Sequence, residues 1–185
     1  MENIYFSKRG VGMGTYRSNS LTIQEQDTFL SVVDTYEDLA LFKLALTSGI
    51  RREDITKIEL NNVDLEKGSV VFWEAKKRRF WTIPLTPDTT IELKRYINTL
   101  PKGSKLLFNF TGRTAYNKLQ RYLEKANIKK HISFHDLRRT FMKTAKRKGI
   151  SLKAVSQITG DTYSVIERHY QNLDLDELKE ELEKL

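Results

Sequence analysis

The chain has 185 residues, 39% apolar and 30% charged, without a cysteine, a length that suits one domain able to bury a core and a composition that excludes disulfides, thiolate metal sites and cysteine nucleophiles. No apolar run approaches the roughly 20 residues of a bilayer span, residues 1–6 do not read as a signal-peptide start, and the missing cysteines fit an intracellular setting. The formal charge of +8 is unevenly spread: residues 174–185 hold six acids and two lysines, net −4, so the rest carries +12, an electrostatic footprint for a polyanion with nucleic acid foremost.

Residues 1–20 are expected to be a flexible, Gly-rich basic linker, since Gly10, Gly12 and Gly14 alternate with basic and small polar residues and no apolar period appears. Thr22 and Glu25 form a capping-box pattern ahead of Phe29, Leu30 and Val33. A second helix is expected over 36–47, apolar nearly all round from Leu39 to Leu46 and therefore buried, with Gly49 ending it. A short helix over 52–60 follows. The period then changes. Residues 69–73 and 80–83 are rich in β-branched and aromatic side chains and flank the basic stretch Lys76, Lys77, Arg78 and Arg79, which reads as a hairpin tip. Thr86 and Pro87 mark another helix start, and helices over 113–126, 134–148, 151–159 and 162–169 complete the body. Leu175, Leu178, Leu182 and Leu185 make residues 173–185 an acidic amphipathic helix. The expected class is α+β, mainly α-helical, with one small antiparallel sheet.

His135 and Arg138 stand at i and i+3, one face of a helix, with Leu137 and Phe141 on the other side and Arg139, Lys143, Lys146 and Arg147 around them. Taken alone, this pattern also fits a solvated basic face. Upstream, Arg51 opens a helix, where the helix dipole disfavours a cation and a functional reason gains weight.

Together these patterns resemble the tyrosine recombinase (phage integrase) family. His135-Asp-Leu-Arg138 followed by Thr140 and Phe141 resembles its second box. Thr47-Ser-Gly-Ile-Arg51-Arg-Glu-Asp54 resembles its first box, Thr-Gly-x-Arg-x-x-Glu-Leu, with Asp54 where the family often has Glu. Arg51, two residues after Gly49, matches the first arginine better than its competitor Arg52. The family's hairpin lysine lies eight residues before a Pro that closes the second strand, which selects Lys76 from Pro84, with Lys77 the runner-up. Ile158-Thr-Gly160-Asp161 stands where the family has Leu-Gly-His or Leu-Gly-Trp, nine residues before its nucleophilic tyrosine, which selects Tyr170. Asp161 is a departure: an ionised carboxylate would repel a phosphate, so it would need a raised pKa to donate, or would orient Arg51, Arg138 or Tyr170, or would stand by.

The resemblance covers residues 21–172 and implies a catalytic domain there. It implies a site-specific recombinase that cleaves and rejoins double-stranded DNA through a 3′-phosphotyrosine, with Arg51, Lys76, His135, Arg138, Asp161 and Tyr170 catalytic. Lys77, Arg78, Arg79, Arg139, Lys143, Lys146 and Arg147 would contact DNA. No cofactor and no metal are expected, because cations can meet the charge of the reacting phosphate. The resemblance further implies a homotetramer on DNA, with residues 173–185 docking on a neighbouring subunit or back on their own domain. It also implies action in the cytoplasm, on the nucleoid of a cell hosting a mobile element or virus. Because the family usually carries an N-terminal DNA-binding domain, the chain reads as a fragment or a reduced protein. Two other readings share most of these features: a DNA-binding protein keeping the fold without the chemistry, and a type IB-like topoisomerase.

Overall fold

Hydroxyl side chains define where the helices begin. In the computed structural model, Thr22, Thr35, Thr86, Thr111, Ser133 and Ser151 each accept a hydrogen bond from the amide three residues on, satisfying a donor that a helix start leaves without a partner. The helices are α1 (Ile23–Ser31), α2 (Tyr36–Ser48), α3 (Arg52–Ile55), α4 (Pro87–Ile97), α5 (Gly112–Lys125), α6 (Phe134–Arg147), α7 (Leu152–Thr159) and α8 (Tyr163–Gln171). The structure describes residues 19–171 and Leu182, with continuous side-chain detail as far as Glu167. The expected linker up to residue 18 and the tail helix over 173–185 lie outside the described residues, apart from Leu182.

Helix α2 is the centre. Ala40, Leu41, Phe42, Leu44 and Ala45 leave almost no surface in water, as an all-round apolar helix requires, and α2 packs against α4 and α6. Burying a side chain such as Leu41 or Phe42 contributes about 1.5–3 kcal/mol. Phe29, Leu93, Leu119, Tyr122 and Leu137 complete the main core around it. A second, smaller cluster joins Phe141, Met142 and Ala145 of α6 to Val155 of α7 and Ile166 of α8.

The sheet has three antiparallel strands in the order β1 (Val63–Asp64), β2 (Ser69–Glu74), β3 (Arg79–Pro84). Period-two alternation turns Val70, Phe72 and Glu74 of β2 inward. Both strands of the expected hairpin run one residue further at the tip, pairing Glu74 with Arg79, so the turn is residues 75–78 with Arg78 at φ +52°. Strand β1 and the 3-10 turn Leu60–Asn62 were not anticipated. The helix expected over 52–60 stops at Ile55 for a physical reason. The Leu60 amide bonds the Lys105 carbonyl and the Leu107 amide bonds the Ile58 carbonyl, so this backbone pairs with a distant segment instead of continuing its turns.

Candidate active site

Helix α2 ends at Gly49, which holds φ at +61°. A Cβ there would lie 2.8 Å from Phe141 Cδ1 and 3.3 Å from Arg138 Cγ, so the position needs glycine both for its backbone angle and for the close approach of α6. The chain then buries Ile50 and presents Arg51 as the extended residue ahead of α3. Arg51 Nη1 donates to Glu74 Oε1 at 2.6 Å, and Nη2 donates to Asp161 Oδ1 at 2.6 Å. Arg52 is half-buried against Gly112 at the start of α5, with its Nε lacking a hydrogen-bond partner among the described residues. Of the two neighbours, then, Arg51 is the one that enters the cluster.

Arg138 approaches the same carboxylate from α6. Its side chain is 4% exposed, which removes the solvated-face alternative for this residue. Nε lies 3.2 Å and Nη2 2.6 Å from Asp161 Oδ2, Nη2 also donates to the Thr159 carbonyl at 2.8 Å, and Nη1 donates to the Gly49 carbonyl. Burial lowers the Arg138 pKa from its ordinary value while Asp161 works in the opposite direction, and a guanidinium stays charged throughout the working range. Asp161 follows Gly160, the left-handed residue at φ +71° that ends α7. Its amide donates to Thr159 Oγ1 at 3.3 Å and its carbonyl accepts from Ser156 Oγ at 2.7 Å.

The hairpin closes the third side. Glu74, 1% exposed, accepts from Arg51 and, at 2.9 Å, from Arg79 Nε. Burial works against the Glu74 charge, but Arg79 and Arg51 prevail and hold its carboxyl below the usual carboxylate range. The Arg79 guanidinium stacks 3.7 Å from the Trp81 ring centre, and Trp81 Nε1 donates to the Ile158 carbonyl at 3.2 Å. Lys77 Nζ donates to the Gly160 carbonyl. Lys76 is exposed at the tip, and among the described residues no hydrogen bond or ion pair engages it. Lys77 thus reaches the residue before Asp161, while Lys76 stands at the exposed tip.

His135 is exposed at the first turn of α6, yet its ring loses part of its hydration; that desolvation, with the Arg139 and Arg138 cations, lowers its pKa below 6.5 despite Asp136 and Asp161. Tyr170 lies in the last turn of α8, one turn after the buried Ile166; its side chain is outside the described ones. Among the expected DNA contacts, Arg78 is exposed and Arg139 is tied to Asp136 Oδ1 at 3.1 Å. Lys143 and Lys146 are half-buried and Arg147 is exposed, and each has an interaction partner.

Two guanidiniums, a carboxylate at the mouth of a helix and a basic hairpin are therefore gathered from parts of the chain more than a hundred residues apart. Residues 19–176 match the model of the phage integrase family. The chain belongs to the phage integrase family. Tyrosine recombinase XerD of Staphylococcus saprophyticus is 32% identical over 145 residues, covering 71% of this chain and 48% of that one. A crystal structure of XerA recombinase superposes with a TM-score of 0.80 at 19% identity, over 89% of this chain and 64% of that one. A pre-cleavage complex of XerH site-specific recombinase bound to its difH substrate superposes with a TM-score of 0.71 at 19% identity, over 87% and 52%. The chain spans between about half and three fifths of the length of the curated relatives it matches.

Beside the integrase pattern stand two residues that sequence reasoning missed, Glu74 and Trp81. A signal for Glu74 was present: it continues the inward register of Val70 and Phe72, and a carboxylate on the buried side of a strand needs a cationic partner. Nothing comparable pointed to Trp81, because its partner is a backbone carbonyl at the end of a helix.

Proposed function

We propose that this chain is a site-specific recombinase that cuts and rejoins DNA through a covalent 3′-phosphotyrosine. The observation that carries the reading is the convergence of Arg51 and Arg138 on one anionic group just ahead of α8, the helix that contains Tyr170. Two planar, permanently charged forks aimed at one anion suit the non-bridging oxygens of a phosphodiester. Membership of the phage integrase family and the XerH–difH likeness lend it further support.

In the reaction, the Tyr170 oxygen attacks phosphorus, forming an O–P bond while the P–O5′ bond breaks. A phenol has a pKa of about 10. Its proton passes to His135, whose pKa is lowered by desolvation and by the neighbouring arginines, so that it is able to accept at neutral pH. Charge growing on the non-bridging oxygens is met by Arg51 and Arg138. The 5′ oxygen leaves with a proton from Lys76, the hairpin lysine selected by the register from Pro84, while Lys77 ties the tip to Gly160. Attack by a 5′ hydroxyl of another strand reverses these steps and restores the backbone without ATP. The exposed basic tip and the cations of α6 grip the flanking phosphates, and several subunits assemble on the DNA, acting in the cytoplasm on the nucleoid.

One observation favours the reading in which the fold binds DNA without cutting it: a carboxylate already occupies the arginine pair. A nicked suicide substrate, whose cleaved end diffuses away, separates the two. Wild type is expected to form a covalent protein–DNA adduct that resists denaturation, and Tyr170→Phe to form none. An adduct from both proteins would move the nucleophile to another tyrosine. DNA binding with no adduct from either would favour the non-cutting reading.

A further inference from the structure

Asp161 makes, with its two oxygens, the contacts that two non-bridging oxygens of a phosphate would make. Oδ1 takes a hydrogen bond from Arg51, and Oδ2 faces the Nε and Nη2 edge of Arg138. Arg138 has little else to offer a ligand. Its Nη1 is spent on the Gly49 carbonyl, its Nη2 is shared with the Thr159 carbonyl, and only 4% of the side chain meets water. The two-donor edge, the one that fits an oxyanion, is the edge Asp161 covers. A phosphate cannot reach it while Asp161 is in place, on grounds of space and of charge.

We infer that Asp161 is an internal surrogate for the scissile phosphate, holding the two arginines in their working orientation without DNA and vacating them when DNA enters. This rests on the DNA-cleaving reading of the same site. Of the two carboxylates in the cluster, Glu74 cannot play this part. It is 1% exposed, held by Arg51 and Arg79 together, and lies 3.3 Å from where a Cβ of Gly160 would stand. Glu74 stays and aims Arg51. Asp161, 16% exposed and in the short link between α7 and α8, is able to leave. Its departure shifts the residues that lead into α8, so phosphate entry and the approach of the Tyr170 helix are coupled through one side chain.

The test is inorganic phosphate binding to the full 185-residue chain, by calorimetry and by the rise in Tm with phosphate concentration. Removing the competing charge with Asp161→Asn is expected to tighten binding by about tenfold or more, because wild type binds only in its fraction with the arginines uncovered. Adding Arg138→Ala to Asp161→Asn is expected to abolish the gain. A folded Asp161→Asn protein with unchanged or weaker phosphate binding overturns the proposal. Should that variant fail to fold, hydrogen exchange in wild type decides. The Asp161 amide, now bonded to Thr159 Oγ1, exchanges faster at saturating phosphate if Asp161 is displaced, and unchanged exchange overturns the idea. The titration needs no strand cleavage. A phosphate gain in Asp161→Asn with no DNA adduct from wild type contradicts the recombinase reading alone. A Tyr170 adduct without the phosphate gain contradicts the surrogate alone.

Discussion

In the proposed reaction His135 accepts a proton, which it can do only when neutral, and its surroundings favour that form. Desolvation of the ring and the cations of Arg139 and Arg138 lower its pKa below 6.5. The acid limb of the single-turnover cleavage rate is therefore expected below pH 6.5. Arg139→Ala, which removes the cation with the larger effect on the ring, should move the limb up, and His135→Gln should remove it. The sign for stability is the same: the unfolded chain takes up this proton first as pH falls, so acidification costs the fold what this group contributes near neutrality. The hairpin lysines separate by a different chemistry. Lys76→Ala is expected to slow cleavage by about 10²-fold or more, and a substrate with sulfur in place of the bridging 5′ oxygen should restore the rate, because a thiolate leaves without a proton. Lys77→Ala should lose less and gain nothing from sulfur; the reverse pattern would transfer the acid role to Lys77. The pairing of Arg51 with Arg138 was approachable from the sequence because short-range spacing on a helix or beside a glycine marks each of them. Asp161 was legible as a departure but its ion pairs were not, because its partners lie 23 and 110 residues away. No local pattern records such a pairing.

At the scale of elements, the junctions carry the site. The α2–α3 corner at Gly49 sets Arg51 and receives Arg138 Nη1 on its carbonyl, and it leaves no room for a Cβ beside the Phe141 ring. Gly49→Ala would need a left-handed alanine and a shift of Phe141, a strain of about 1–3 kcal/mol or more. Urea unfolding should show that loss, and cleavage should fall further than stability alone explains, because both arginines move with the corner. Cleavage retained in a variant with unchanged stability would contradict this account of the corner. The starts of α1 and α4 were read from sequence, since Thr22 with Glu25 and Thr86 with Pro87 announce themselves through capping chemistry. The stretch after α3 was read as helix because Ile55 and Ile58 suit a helical period, and both are indeed buried. What changed its form was the backbone pairing of residues 58–60 with residues 105–107, a long-range competitor that a local period cannot reveal. The two-residue strand β1 escaped for a different reason, having too few residues to establish an alternation.

On the scale of the whole molecule, two hydrophobic clusters meet at the cluster of charges. The larger core centred on α2 fixes Arg51 and Glu74, the smaller one fixes α7 and α8, and α6 belongs to both and brings Arg138 between them. Trp81 and Lys77 tie the hairpin to the end of α7, so the sheet is bound to the same junction. This arrangement lets one anion entering between the clusters act on every element that touches the site. In the proposed reaction this anion is a DNA phosphate attacked by Tyr170. The adduct from the suicide substrate, digested with nuclease and trypsin, tests it by mass spectrometry. Cleavage after Arg168 and Lys179 releases residues 169–179, whose one tyrosine is Tyr170, and this peptide is expected to carry a nucleotide 3′-phosphate. The same mass on residues 154–168, which contain Tyr163, or on any other tyrosine peptide, would contradict the account.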